Sequence, residues 1–179
     1  AYVLETDYSP EEMWLNPSSL LMMSQNVRLG LEEYISSTYL SKDVDEAYNA
    51  LKIELSELDA DYRVAVESTN NDTIIVADSA LKYLEKFGLN VICIDSDASD
   101  KTLSLAEKAI MNKSVSYIML FKNEKVNDNA QKLLDTYSDV QKLELHRLDN
   151  ITTSERSNGE TYVSIMRNNL DLIKKELYQ

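Results

Sequence analysis

The chain has 179 residues, 44% of them hydrophobic, with a single cysteine and a formal net charge of −13, so it is long enough for one well-packed core and is expected to form a single domain. That acidity argues against nucleic acid and anionic membrane as partners, because lysine and arginine would have to dominate a phosphate-facing surface. No apolar run reaches membrane-spanning length and nothing resembles a signal peptide, while the start at Ala1 points to a processed or excised fragment.

The first informative stretch is Pro10-Glu11-Glu12-Met13-Trp14-Leu15-Asn16-Pro17, which holds the only tryptophan. Asn16 is suited to cap a helix whose first turn takes Pro17, where a missing N–H costs nothing. Trp14 and Leu15 are then expected to be buried. Glu11 and Glu12 read either as solvated carboxylates favoured by the helix dipole or as a fixed corner of a site. Leu20, Met23, Val27, Leu31 and Tyr34/Ile35 recur at helical spacing and predict a helix from Pro17 to Ser37. Val44, Tyr48, Leu51, Leu55, Leu58, Tyr62 and Ala65 alternate steps of four and three, predicting one long helix over 44–68 with a solvated acidic face.

Beyond it the texture becomes short β-rich runs alternating with helical segments. Strands are predicted at Thr73–Ala77, Asn90–Ile94, Val115–Phe121 and Val140–Leu145. Helices are predicted at Ser79–Phe87, with Gly88 as its stop, at Asp100–Met111 and at Asn123–Tyr137. A last helix is built on Tyr162, Ile165/Met166, Leu170, Ile173 and Leu177, and 150–158 reads as an ordered polar loop. Strands separated by helices imply an α/β fold with a four-stranded parallel sheet flanked by helices, covered by the two amino-terminal helices and the last one. Residues 1–68 form a linker segment with two helices, and 69–179 an α/β lobe. Cys93, inside Val91-Ile92-Cys93-Ile94, is expected to be an inert buried thiol.

In an open parallel sheet, ligands collect outside the carboxyl ends of the strands. Those ends read Ala77-Asp78-Ser79, Asp95-Ser96-Asp97, Phe121-Lys122-Asn123 and His146-Arg147-Leu148-Asp149. Each Asp taken singly is a ready helix cap. Several converging carboxylates, however, repel one another unless a cation or protons intervene. With three glycines in the chain there is no phosphate-cradling loop and no dinucleotide fingerprint. An enzymatic alternative rests on Asp95-Ser96-Asp97, which resembles the Asp-x-Asp end of phosphotransferases that form an aspartyl-phosphate with magnesium, Asp95 as nucleophile and Asp97 as general acid. It lacks the downstream partners, Lys122 being the one near candidate lysine.

Three segments resemble the metal-binding solute-binding proteins of zinc and manganese ABC importers, a family that includes lipoproteins described as adhesins. Met13-Trp14-Leu15-Asn16-Pro17 resembles the family's Asp-Pro-His-x-Trp-Leu-Asp/Asn segment. Ile75-Val76-Ala77-Asp78-Ser79-Ala80-Leu81-Lys82-Tyr83-Leu84 resembles its strand-and-helix stretch carrying a His or Glu ligand. Gly159-Glu160-Thr161-Tyr162-Val163-Ser164-Ile165-Met166-Arg167-Asn168-Asn169-Leu170 is similar to its final helix.

The resemblance implies a bilobed, extracellular protein, membrane-tethered in its full-length form, with metal held between two α/β lobes and an ABC permease as partner. The resemblance further implies that this chain corresponds to the linker and carboxyl-terminal lobe, without the amino-terminal lobe, and that the long helix stands for the interlobe backbone helix. By the same resemblance the family's metal ligands fall on Glu12, Asp78 and Asp149, with His146 a nearby substitute. Only Asp149 keeps the family's residue type. Oxygen donors suit manganese, calcium or magnesium better than zinc, so the implied reading is a binding lobe, not an enzyme, with altered cation binding or none. A purely structural, adhesin-like lobe is a further alternative.

Overall fold

The computed structural model describes residues 10–69 and 71–179, the side chains of 10–12 lying outside that description. Its elements run α1 (Pro10–Leu15), α2 (Pro17–Tyr34), α3 (Thr38–Glu67), β1 (Thr73–Val76), a 3-10 helix (Ser79–Phe87), β2 (Asn90–Cys93), α4 (Asp100–Met111), β3 (Tyr117–Phe121), α5 (Asp128–Thr136), β4 (Gln141–Leu145), α6 (Thr153–Ser157) and α7 (Tyr162–Leu177). The four strands are all parallel, in the order β2-β1-β3-β4. The α/β class and the parallel sheet expected from the sequence are therefore present.

Alternation along the strands divides the core in two. Ile74, Val76, Met119, Phe121, Leu143 and Leu145 face a layer formed by α3, α7, the 3-10 helix and Leu15 of α1, centred on Leu58, Tyr62, Tyr83, Leu84, Met166 and Leu170. Ile75, Ile92, Ile118 and Leu120 face α4 and α5 through Ala106, Ile110, Ala130 and Leu133. Here the expectation about cover needs correction. The helix α2 buries only Pro17 and Ser19, and α3 buries residues only from Leu55 onward. The amino-terminal half of α3 instead pairs with α2, joined by Arg28, which meets Asp45 at 2.7 Å and lies over the Tyr48 ring.

Several boundaries moved for identifiable reasons. The segment 79–87 is a 3-10 helix, and its buried Leu81, Leu84 and Phe87 repeat every three residues, the period of that helix. The long helix begins at Thr38, capped by Ser37. Strand β3 starts at Tyr117 instead of Val115 because the Ser116 and Tyr117 amides donate to the Glu176 carboxylate, at 3.1 and 2.7 Å. Helix α5 starts at Asp128 because Asn123 takes a left-handed turn (φ 66°) and Asn127 caps the helix, accepting from Ala130 N–H. Within the expected loop, Thr152 and Glu155 close a capping box that makes 153–157 helical.

Candidate functional site

The amino-terminal corner is built as its residues require. The Asn16 side chain accepts from the Ser18 N–H at 3.0 Å and Pro17 opens α2. Asn16 and Leu15 are buried. The Trp14 indole N–H donates to the Arg147 carbonyl at 3.1 Å, and the Tyr162 hydroxyl donates to the Trp14 carbonyl at 2.7 Å. The corner is thereby fastened to the end of β4 and the start of α7. The expected site residue Glu12 sits in α1, and its side chain lies outside the described residues.

β1 leads to β2 on one side and its neighbour β3 leads to β4 on the other, so the connections leave these adjacent strands in opposite directions and a crevice opens beyond their ends. A cavity of about 290 Å³ lies there, lined by Asp78, Asp95, Asp97, Phe121, Glu124 and Asn127 among others. A second, of about 190 Å³, lies beside it, lined by Lys122, Glu124, His146, Arg147, Asp149 and Glu155 among others. Glu124 borders both.

Asp78 caps the 3-10 helix, accepting from Ala80 N–H at 2.8 Å. Its other carboxylate oxygen faces Arg147 Nη1 at 3.6 Å, and the same nitrogen meets Glu124 at 2.5 Å. The guanidinium carbon stands 5.1 Å from the centre of the Phe121 ring, a cation–π arrangement. The carboxylate-rich edge is thus neutralised, in part, by the chain's own arginine.

His146 has both ring nitrogens engaged. Its Nδ1 accepts from Leu148 N–H at 2.9 Å, which places the proton on Nε2, and that atom contacts Glu155 at 3.2 Å. Glu155 is held below the ordinary carboxylate range, chiefly by its hydrogen bonds from Thr152. The His146 backbone is clamped on both sides by Asn169, whose side chain accepts from His146 N–H at 2.8 Å and donates to His146 C=O at 2.9 Å. Asp149 is exposed and accepts from its neighbour Asn150 N–H. Between them, Leu148 adopts a left-handed φ of 59°, a conformation that costs a non-glycine residue roughly 1–2 kcal/mol.

Among the described residues, no three His, Cys, Asp or Glu side chains are grouped to hold a metal ion. Asp78, His146 and Asp149 therefore do not form such a group. Asp95 and Asp97 make a turn, with Asp95 accepting from Asp97 N–H at 3.2 Å and from the Cys93 thiol at 3.5 Å.

Two residues of this edge were not singled out from the sequence, Arg147 and Glu124. A signal was present for the first. Arg147 is a permanent cation at the end of a strand in a strongly acidic chain, beside carboxylates on the other strand ends.

Comparison with known proteins gives a consistent result. Residues 7–176 match the family model described as ZnuA, zinc-uptake complex component A, periplasmic. The zinc-binding protein AdcA of Streptococcus pyogenes is 26% identical over 170 residues, covering 90% of this chain and 32% of AdcA. The high-affinity zinc uptake system protein ZnuA of Bacillus subtilis is 26% identical over 175 residues, covering 92% of this chain and 52% of that protein. The crystal structure of the metal-dependent lipoprotein YcdH from Bacillus subtilis superposes with a TM-score of 0.75 at 19% identity, over 98% of this chain and 68% of YcdH. The chain spans about a third to a half of the length of these two sequence relatives.

Proposed function

The chain belongs to the family of the periplasmic component A of zinc-uptake complexes, and from that premise we propose that it is the carboxyl-terminal lobe, with its backbone helix, of an extracytoplasmic solute-binding protein serving an ABC permease. Residues 1–68 are the linker and helices, 69–179 the lobe. Its binding of a divalent cation is degenerate or altered, and the full-length protein is tethered at the outer face of the membrane. The lobe is a binding module and performs no catalysis of its own.

The observation that carries this reading is the strand edge itself. The crevice beside β1 has Asp78 at its mouth, where the resemblance puts a family ligand, with the Trp14 corner fastened next to it through the Arg147 carbonyl. Relatives are named for zinc binding and zinc uptake. The residues here are oxygen donors, and imidazole is represented only by His146, whose nitrogens are engaged. Hard oxygen donors favour manganese, calcium or magnesium over zinc. Asp78 is also one methylene shorter than a glutamate and already serves as a cap.

The test is made in cells. Deleting the gene for the full-length protein is expected to slow accumulation of radiolabelled manganese or zinc under chelator-imposed scarcity, with recovery on complementation. Accumulation at the parental rate for both metals contradicts the proposal.

A further inference from the structure

We propose that Arg147 supplies from within the chain the positive charge that a divalent cation would otherwise bring to the β1–β3 edge, and that it thereby opposes cation binding there. The inference rests on the family reading for the location of the cargo, and on the geometry of this edge for everything else.

One guanidinium nitrogen serves two carboxylates, Asp78 at 3.6 Å and Glu124 at 2.5 Å. These come from the ends of different strands, so a single cation ties β1 and β3 to β4. Without a counter-charge, carboxylates gathered on the edge of a chain carrying −13 would repel each other or take up protons. Arginine is always charged in proteins, so this counter-charge is permanent and needs no metal. The guanidinium also stands over the Phe121 ring, a contact that a small hydrated metal ion would not reproduce.

Arg147 is presented by a fixed backbone. The preceding residue is clamped by Asn169 at both its N–H and its C=O. Its own carbonyl accepts from Trp14, and the next residue, Leu148, is turned into the left-handed region and bonded back to His146 Nδ1. Such restraint at a loop position is what holds a side chain in one arrangement. A divalent cation approaching Asp78 must therefore displace the guanidinium, forfeiting its ion pairs with Asp78 and Glu124 and its ring contact with Phe121 before gaining any ligand. The donor chemistry agrees, because no ready group of three ligands exists among the described residues.

Calorimetric titration of the chain and of Arg147→Met with manganese chloride and with zinc chloride tests this. Methionine keeps an apolar stem on Phe121 while removing the charge; Arg147→Gln is the second variant should the first fail to fold, with circular dichroism and tryptophan fluorescence as folding checks. The expected result is at least tenfold tighter cation binding in the variant, lost again in the double variant with Asp78→Asn. Equal affinity in wild type and variant, binding in neither, or a gain that survives Asp78→Asn overturns the proposal. Metal accumulation in cells reports on the transport role separately, so a failure there leaves the titration result intact.

Discussion

The indole N–H of Trp14 donates to the backbone carbonyl of Arg147 across 133 residues of sequence, at 3.1 Å. This bond joins the amino-terminal corner to the strand end that carries the arginine. Trp14→Phe keeps an aromatic ring in place but leaves that carbonyl without its partner, and is expected to cost about 1–2 kcal/mol in urea unfolding. An unchanged unfolding midpoint would show that the corner is not fastened this way.

The second fastening is the Tyr162 hydroxyl on the Trp14 carbonyl, 2.7 Å long. Burial pushes the Tyr162 hydroxyl far above the usual phenol range, so it stays protonated as a donor through the neutral pH region. Tyr162→Phe is expected to lose about 1 kcal/mol of stability and to shift the emission of the sole tryptophan. A variant whose emission and midpoint both match wild type would contradict the contact.

Glu176 provides a pH prediction at the opposite end of the sheet. It is fully buried and accepts from Ser116, Tyr117 and Asn71. Burial raises its proton affinity above the ordinary glutamate range, and the backbone donors oppose this without cancelling it. The folded state therefore holds this proton more firmly than the unfolded chain. Its contribution is present below the ordinary glutamate value and is lost as pH rises through the raised one. The stability gap between wild type and Glu176→Gln is accordingly expected to narrow over the pH interval above the ordinary glutamate value. A gap that widens over that interval would reverse the assigned direction.

Cys93 lies against the core, and burial pushes its thiol up to about 11. Little thiolate exists at neutral pH, so native protein should react with iodoacetamide far more slowly than urea-unfolded protein. Comparable rates in the two states would show an accessible thiol.

Much of this fold was readable because periodicity is a local signal. Helix α4 has the bounds that Ile110, Ala106 and the Ser99 cap dictate, α7 follows its apolar repeat, and Gly88 ends its segment at φ 102°. The α2 start was equally legible in Asn16-Pro17. What escaped depends on contacts distant in sequence. Glu176 shortens β3 from 60 residues away, and the covering role expected of α2 fell to helices whose apolar stripes carry no record of which face they meet.

The candidate site was legible in its carboxylates and not in its balance. Asp78 and Asp149 could be located as strand-end acids, and Asp78 acts as the cap that its position allows. Arg147 was visible as a residue, but its meaning comes from Asp78 and Glu124, which lie 69 and 23 positions away and meet it only when β1, β3 and β4 align.

Anomalous diffraction from crystals soaked in manganese decides most directly whether Arg147 holds the place of a cation. In Arg147→Met, a peak is expected at the β1–β3 edge within coordination distance, about 2.0–2.3 Å, of the Asp78 and Glu124 carboxylates, and wild-type crystals under the same soak are expected to show none there. A wild-type peak between those carboxylates, with the guanidinium swung aside, would contradict an internal counter-ion that keeps metal out.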